Sequence, residues 1–326
     1  MSVSTGDLLL ESDAAVEGIA VGSPEIAARS PLQLFWRRFR ADRVAMVSAV
    51  IILVLIVIAI AAPLVVSIIG VPGPNVQDAN ALDVFGSATG PTGAHPFGVD
   101  TLGRDILARV IYGARVSLEV GIIGTAVATV LGTVVGLLAG FYRTWIDTLL
   151  MRAVDVFLSI PVLLLGLGIG AACGVRGCLS GVIQPGIGTV IFIIVIAGFT
   201  YFARIVRGQV LSLREKEFIH AAQSLGASNT RILFREILPN LVTPLLVYAS
   251  LWIPQAILYE AALSYLGVGV RPPTASWGQM LSDATPIFNT AWWYMVFPGV
   301  ALLITVLAFN LVGDGLLDAL NPRGSR

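Results

Sequence analysis

Residues 44–69 form an almost unbroken run of Val, Ile, Leu and Ala without a charged side chain. Such a run can satisfy its backbone as a helix and cross a hydrocarbon core about 30 Å thick. Five further segments follow the same rule, at about 118–142, 149–173, 186–211, 241–266 and 293–316. Charged residues are 12% of the chain and hydrophobic ones 56%, with mean hydropathy +0.87. That is about half the charge density of a soluble domain. The expected fold is all-α and polytopic, with six transmembrane helices. A count of five follows if the third and fourth merge, but Gly and Pro between 173 and 185 favour a turn there.

The acidic stretch 1–30 lacks the basic-then-apolar order of a secretory signal and reads as a disordered tail. With that tail inside the cell, fifteen of the twenty Lys and Arg fall on inner segments. Only Arg104, Arg109, Arg115, Arg176 and Arg271 fall outside. The bias puts both termini in the cytoplasm of a multi-pass protein of the cell (inner) membrane. The neutral net charge gives no sign of nucleic-acid binding, and two His and two Cys are too few for a metal site. The single lysine, Lys216, lies between Glu215 and Glu217, so there is no Gly-Lys-Ser/Thr loop to hold ATP phosphates. No cofactor and no catalytic residue are expected on this chain.

The longest inner loop, 212–239, reads as two short helices. Phe218, Ala221, Ala222 and Leu225 share one helical face, Gly226 suits a left-handed stop, and Ser228 suits an N-cap. Arg231, Arg235 and Glu236 follow, and Pro239 marks the approach to the fifth span. The product is a helix–glycine–helix elbow. Small Ala221 and Ala222 would let another protein come close, with a charged rim around them. A plain solvated connection is the alternative.

The segment His220-Ala-Ala-Gln-Ser-Leu-Gly226, followed after nine residues by Glu236-Ile-Leu-Pro239, resembles the Glu-Ala-Ala loop of ABC importer permeases. Ala221, Ala222, Gly226, Leu238 and Pro239 match that pattern, whereas His220 stands where the family has glutamate. His95-Pro-Phe-Gly-Val-Asp-Thr-Leu-Gly-Arg-Asp105, Leu263-Ser-Tyr-Leu-Gly-Val-Gly269 and Pro272-Pro-Thr-Ala-Ser-Trp-Gly278 are similar to segments of the dipeptide, oligopeptide and nickel group, in the second permease of the pair. The resemblance implies a type I ABC importer permease fold and a non-catalytic subunit. It implies as partners a homologous permease, two ATP-binding cassette subunits that hold ATP and Mg, and an extracytoplasmic solute-binding protein. The cargo it implies is a di- or oligopeptide, with a nickel chelate or glutathione as alternatives. Glu217, His220, Ala221, Ala222, Gly226, Arg231, Leu238 and Pro239 become the expected ATPase-coupling loop. The domains are then a tail 1–30, the first helix with its approach 31–69, an outer loop 70–117, a five-helix core 118–316 and a tail 317–326.

Within the outer loop, 101–113 reads as an amphipathic helix lying flat on the interface, either a collar or a docking surface. Asp100 or Thr101 would cap it, and Arg104 and Arg109 would form its polar side. Trp277, Trp292 and Trp293 read as interface anchors. Cys173 and Cys178 are close in sequence in an oxidising compartment, as a disulfide or as two free thiols. Gly121, Gly124, Gly132, Gly136 and Gly140 serve close helix packing or a backbone-lined path. Pro161, Pro244, Pro254 and Pro298 interrupt spans. Glu260 is the acid assigned inside a span, as a hydrogen-bonded structural group, a partner for a neighbouring arginine or a contact for a substrate amine; Asp155 poses the same choice. A self-contained secondary transporter is the rival class, and it would need such groups for coupling.

Overall fold

The computed structural model describes residues 31–174 and 177–320. The tail 1–30, residues 321–326, and Arg29, Arg176, Arg323 and Arg326 of the charge count lie outside the described residues. Helix α1 (Pro31–Ala41) leads to Asp42, whose carboxylate accepts the Val44 and Ala45 amides at 2.9 and 3.1 Å and so starts α2 (Arg43–Ile60). The apolar run continues as α3 (Ala62–Ile69) after a break at Ala61. Pro63 lacks the N–H that an unbroken helix would need there.

Helix α4 (Ile106–Tyr142) is 37 residues long and merges two predicted elements. The flat interfacial helix at 101–113 does not form: residues 101–103 turn, Arg104 and Asp105 make isolated bridges to Gln77 and Val99, and 106–113 are the first turns of α4. The cap is Asp105, which accepts the Ala108 amide at 2.8 Å, rather than Asp100 or Thr101. Arg104 and Arg109, expected on a wet face, are buried. Arg104 pairs with Asp100 at 2.6 Å, while Arg109 donates to the Pro74 carbonyl and to Asn75 at 3.1 and 3.2 Å. His95 reaches the Asp105 carboxylate at 2.8 Å. The His95–Asp105 segment is thus a folded clasp that satisfies its charges internally, which frees α4 to rise straight out of the span.

The third predicted span is bent sharply at its middle. Helices α5 (Trp145–Leu158) and α6 (Val162–Cys173) meet at 86°. Pro161 withholds an N–H at the corner and excludes helical geometry for the residue before it. Cys173 and Cys178 are joined by a disulfide with Cα atoms 4.8 Å apart. Helix α7 (Ile187–Arg214) follows, then α8 (Glu217–Ser224). A turn at Asn229–Arg231 and a π-helical segment, Ile232–Ile237, lead without interruption into α9 (Leu238–Tyr265). The second elbow helix is therefore the base of the fifth span. The wide π turn sits where Pro239 crowds the preceding carbonyls and offers no donor. Helices α10 (Trp277–Ala284) and α11 (Trp292–Leu320) complete the chain, and α11 takes in residues 317–320 of the predicted tail.

Among the described residues, five continuous helices are long and apolar enough to cross a membrane, and the bent α5–α6 pair makes up to six. Helices α4 and α7 form the centre. A Cβ on Gly132 would lie 2.4 Å from the Phe202 Cβ, and one on Gly136 2.6 Å from the Ala203 carbonyl oxygen. From Gly124 to Gly140 the glycine stripe is filled by α7, and Gly121 is filled by Ile257 of α9, so it serves packing and not an open path. Trp277 and Trp293 are buried, with indole N–H groups donating to the Val110 and Val99 carbonyls at 3.0 and 3.2 Å. They are core residues rather than interface anchors; Trp292, 52% exposed, remains on the surface.

Candidate functional site

The elbow sits at the end of the bundle where α7 stops and α9 begins. Its inward side is one residue deep: Ile219 of α8 is fully buried among Phe141, Val206, Val210, Ile232 and Ile237. Gly226 adopts φ +78. The Gly226 amide donates to the Gln223 carbonyl at 2.9 Å and the Ala227 amide to the Ala222 carbonyl at 3.0 Å. This double bond pattern closes a helix on a left-handed residue. Ser228 then accepts the Arg231 amide at 3.4 Å to begin the next turn.

The outward side carries Phe218 at 41%, Leu225 at 89% and Phe234 at 61% exposure, apolar side chains that the described residues leave uncovered. Glu217, His220, Ala221, Gly226, Arg231 and Pro239 are exposed as well. Ala222 and Leu238 are half-buried, and Leu238 packs on the cluster beneath. The structure thus brings the predicted loop residues onto one elbow, with Leu238 as support rather than surface. Sequence reading passed over Ile219 and Phe234. Ile219 had a signal, an aliphatic residue beside Phe218 in an otherwise polar helix, but one residue does not reveal which neighbour points inward.

Charges bolt the elbow's base to the bundle. Arg214 donates to the Phe141 carbonyl and lies over the Phe141 ring, 5.3 Å from its centroid. Arg207 grips Asp147 of α5 through two bonds of 2.6 and 2.7 Å, and Arg204 binds Asp155 at 2.6 Å. Asp155 is therefore one half of an ion pair on the α5–α7 seam. Forked arginine–carboxylate pairs fix orientation as well as distance.

Glu260 lies far from the elbow, fully buried toward the other end of α9. It accepts Ser117 of α4 at 2.7 Å and Ser264 at 2.8 Å, and Ser264 in turn accepts the Val270 amide at 3.0 Å. The carboxylate ties α4, α9 and the chain after α9 into one knot. Glu260→Ala strands the serine hydroxyls and should cost about 3 kcal/mol. Thermal unfolding of the purified chain measures this, and an unchanged midpoint would rule the knot out as a support. Among the described residues there is no group of three His, Cys, Asp or Glu placed to hold a metal ion.

Comparison with known proteins agrees with this architecture. Residues 132–326 match the family described as binding-protein-dependent transport system inner membrane component, and residues 30–82 match the N-terminal TM domain of oligopeptide transport permease C. A dipeptide transport system permease of Alkalihalophilus pseudofirmus is 40% identical, over 92% of each chain. A glutathione transport system permease of Pectobacterium atrosepticum is 40% identical, over 91% of this chain and 93% of that one. A putative peptide transport system permease of Brucella abortus is 41% identical, over 92% and 94%. The fold of the MetNI methionine ABC transporter, in an inward facing conformation, aligns with TM-score 0.55 at 21% identity, over 66% of this chain and 98% of that one. The family profile spans more than half of the chain and the relatives nearly all of it: the chain belongs to the inner membrane components of binding-protein-dependent transport systems.

Proposed function

We propose that this chain is one of two permease subunits of an ATP-driven importer for short peptides, with the elbow as the contact for a cytoplasmic ATPase. The observation that carries the reading is the exposed apolar elbow of Phe218, Leu225 and Phe234, left uncovered yet fixed to the bundle through Ile219. A loop serving only as a connection has no reason to expose three large apolar side chains on a rigid base. The elbow end is cytoplasmic, in line with the Lys and Arg bias, so both termini are inside. Two ATPase subunits each grip one elbow, on this chain and on a homologous permease. Their closure on ATP draws the elbows together, and the rigid α4–α7 centre tilts to open the pathway outward. A solute-binding protein then delivers cargo from outside.

The named relatives handle dipeptides, glutathione and peptides, so the cargo class is a short peptide. ATP and Mg belong to the ATPase subunits. A self-contained secondary transporter would depend on Glu260, which is enclosed by serines of its own bundle.

The test is uptake of a labelled tripeptide into vesicles holding this chain, its permease partner, the two ATPases and the binding protein. Uptake should require ATP and fail with this chain alone under an ion gradient. Gradient-driven uptake by the chain alone would overturn the reading. Labelling of Ser224→Cys from outside intact cells would overturn the topology.

A further inference from the structure

The middle of the bundle carries a face that suits neither a closed core nor lipid. On α9, Tyr248, Trp252, Gln255 and Tyr259 recur at spacings of four, three and four residues, which puts them on one side of the helix. All four are half-buried. Tyr201 of α7, 38% exposed, stacks on Trp252 with ring centroids 5.0 Å apart and planes 21° apart. The Tyr259 ring follows 6.2 Å from Trp252. Among the described residues, the hydroxyls of Tyr201, Tyr248 and Tyr259 and the Gln255 amide have no hydrogen-bond partner.

The depth of this stripe is defined. At about 1.5 Å per residue, Tyr201 and Trp252 each stand about 20 Å from both ends of their helices. Tyrosine and tryptophan that face lipid gather at the two interfaces, not midway between them. Unpaired hydroxyl and amide groups are also costly against acyl chains. The lipid-type surface lies elsewhere and is aliphatic: Leu53 and Val57 of α2 and Leu303 and Leu307 of α11 are half or more exposed. One turn from Tyr201 along the same side of α7, Arg204 pairs with Asp155, and the two side chains are 60% and 48% exposed. They line a cavity of about 450 Å³ with Arg152 and Arg207. An open ion pair beside a span needs water. The stripe therefore leads toward a wet, charged space.

We propose that Tyr201, Tyr248, Trp252, Gln255 and Tyr259 line the cargo pathway and hold the backbone of a short peptide half-way across the membrane. This rests on the importer reading above. Aromatic rings pack on planar peptide groups and on side chains of any kind, while phenol and amide groups match peptide N–H and C=O. Such a wall takes peptides without reading their sequence. It holds no charge, so neither peptide terminus finds an ion partner at mid-span, and cargo is released as readily as it is held. A homologous permease packed flat on the stripe is the competing occupant, but the open ion pair one turn away favours water over a sealed contact.

The complete importer in lipid nanodiscs is treated with a charged, water-soluble methanethiosulfonate. Cys173 and Cys178 are joined, so the chain brings no free thiol of its own. Gln255→Cys and Tyr248→Cys should label at least about tenfold faster than Leu307→Cys on α11, because the reagent needs a thiolate and apolar surroundings suppress it. A tripeptide delivered by the binding protein with ATP should slow labelling of Gln255→Cys and leave Leu307→Cys unchanged. Labelling of both stripe positions at the Leu307→Cys rate would overturn the proposal and give the face to the partner or to lipid. Fast labelling that the tripeptide does not slow would overturn the cargo contact. ATP-driven tripeptide uptake by the wild-type importer is measured in parallel. Its absence would sink the importer reading, whereas normal uptake with a stripe that resists labelling would sink this inference alone.

Discussion

Gly132→Val is expected to eliminate the folded chain. The new Cβ would lie 2.4 Å from the Phe202 Cβ, 2.7 Å from the Phe199 carbonyl oxygen and 2.9 Å from the Ala203 amide nitrogen. Two of those three atoms are backbone, so rotation of a side chain relieves nothing. Helices α4 and α7 would have to separate along the seam that also holds Gly136 and Gly140, each facing the same helix. Overpacking of this kind costs about 3 kcal/mol or more, a large fraction of a domain's margin. Gly208→Ala on α7 is the matched control. It meets open space, and alanine in a helix interior gains about 0.5–1 kcal/mol over glycine. Detergent-soluble, monodisperse protein and its unfolding temperature read both. A Gly132→Val chain that unfolds at the wild-type temperature would mean that the seam is not the structural centre.

Gly226→Val is expected to act in the opposite way, disabling transport while sparing the fold. A Cβ there meets nothing within 4 Å, so no neighbour is displaced. The cost is in the backbone: φ is +78, and a left-handed residue with a Cβ loses about 1–2 kcal/mol, more when branched. That energy exceeds what a short elbow held through Ile219 can absorb, and the bonds from Gly226 to Gln223 and from Ala227 to Ala222 open. The complex should still assemble with an unfolding temperature close to wild type. Binding-protein stimulation of ATP hydrolysis should fall at least about tenfold. The order of damage should be Asn least, Ala intermediate and Val greatest, since asparagine tolerates the left-handed region best. Full stimulation in the valine variant would remove the elbow from the coupling path.

The contrast between these glycines shows what could be read locally. Gly226 is legible from the residues around it, because a helix that stops on glycine needs only its own last turn to explain it. The stripe from Gly121 to Gly140 was legible as close packing but not as contact with α7 and, at Gly121, with Ile257 of α9. The same limit explains the errors. The segment 101–113 has an amphipathic pattern, yet its polar members find buried partners: Arg104 meets Asp100, and Arg109 meets Pro74 and Asn75. Trp277 has the composition of an interface anchor and fills a core slot against Gly113 instead.

Long apolar runs, the left-handed stop at Gly226 and the uneven placement of Lys and Arg are properties of the chain by itself. Lipid leaves an apolar backbone no alternative to the helix, and a turn of the chain sees only its neighbours. The burial of Trp277 and Trp293, and the enclosure of Glu260 while Arg115 and Glu119 stay open, were decided by tertiary packing. Ser117 and Glu260 are 143 residues apart, and which polar groups meet across such a distance depends on how the helices stack. The energy of a buried charge is set by those meetings and not by the residues beside it in sequence.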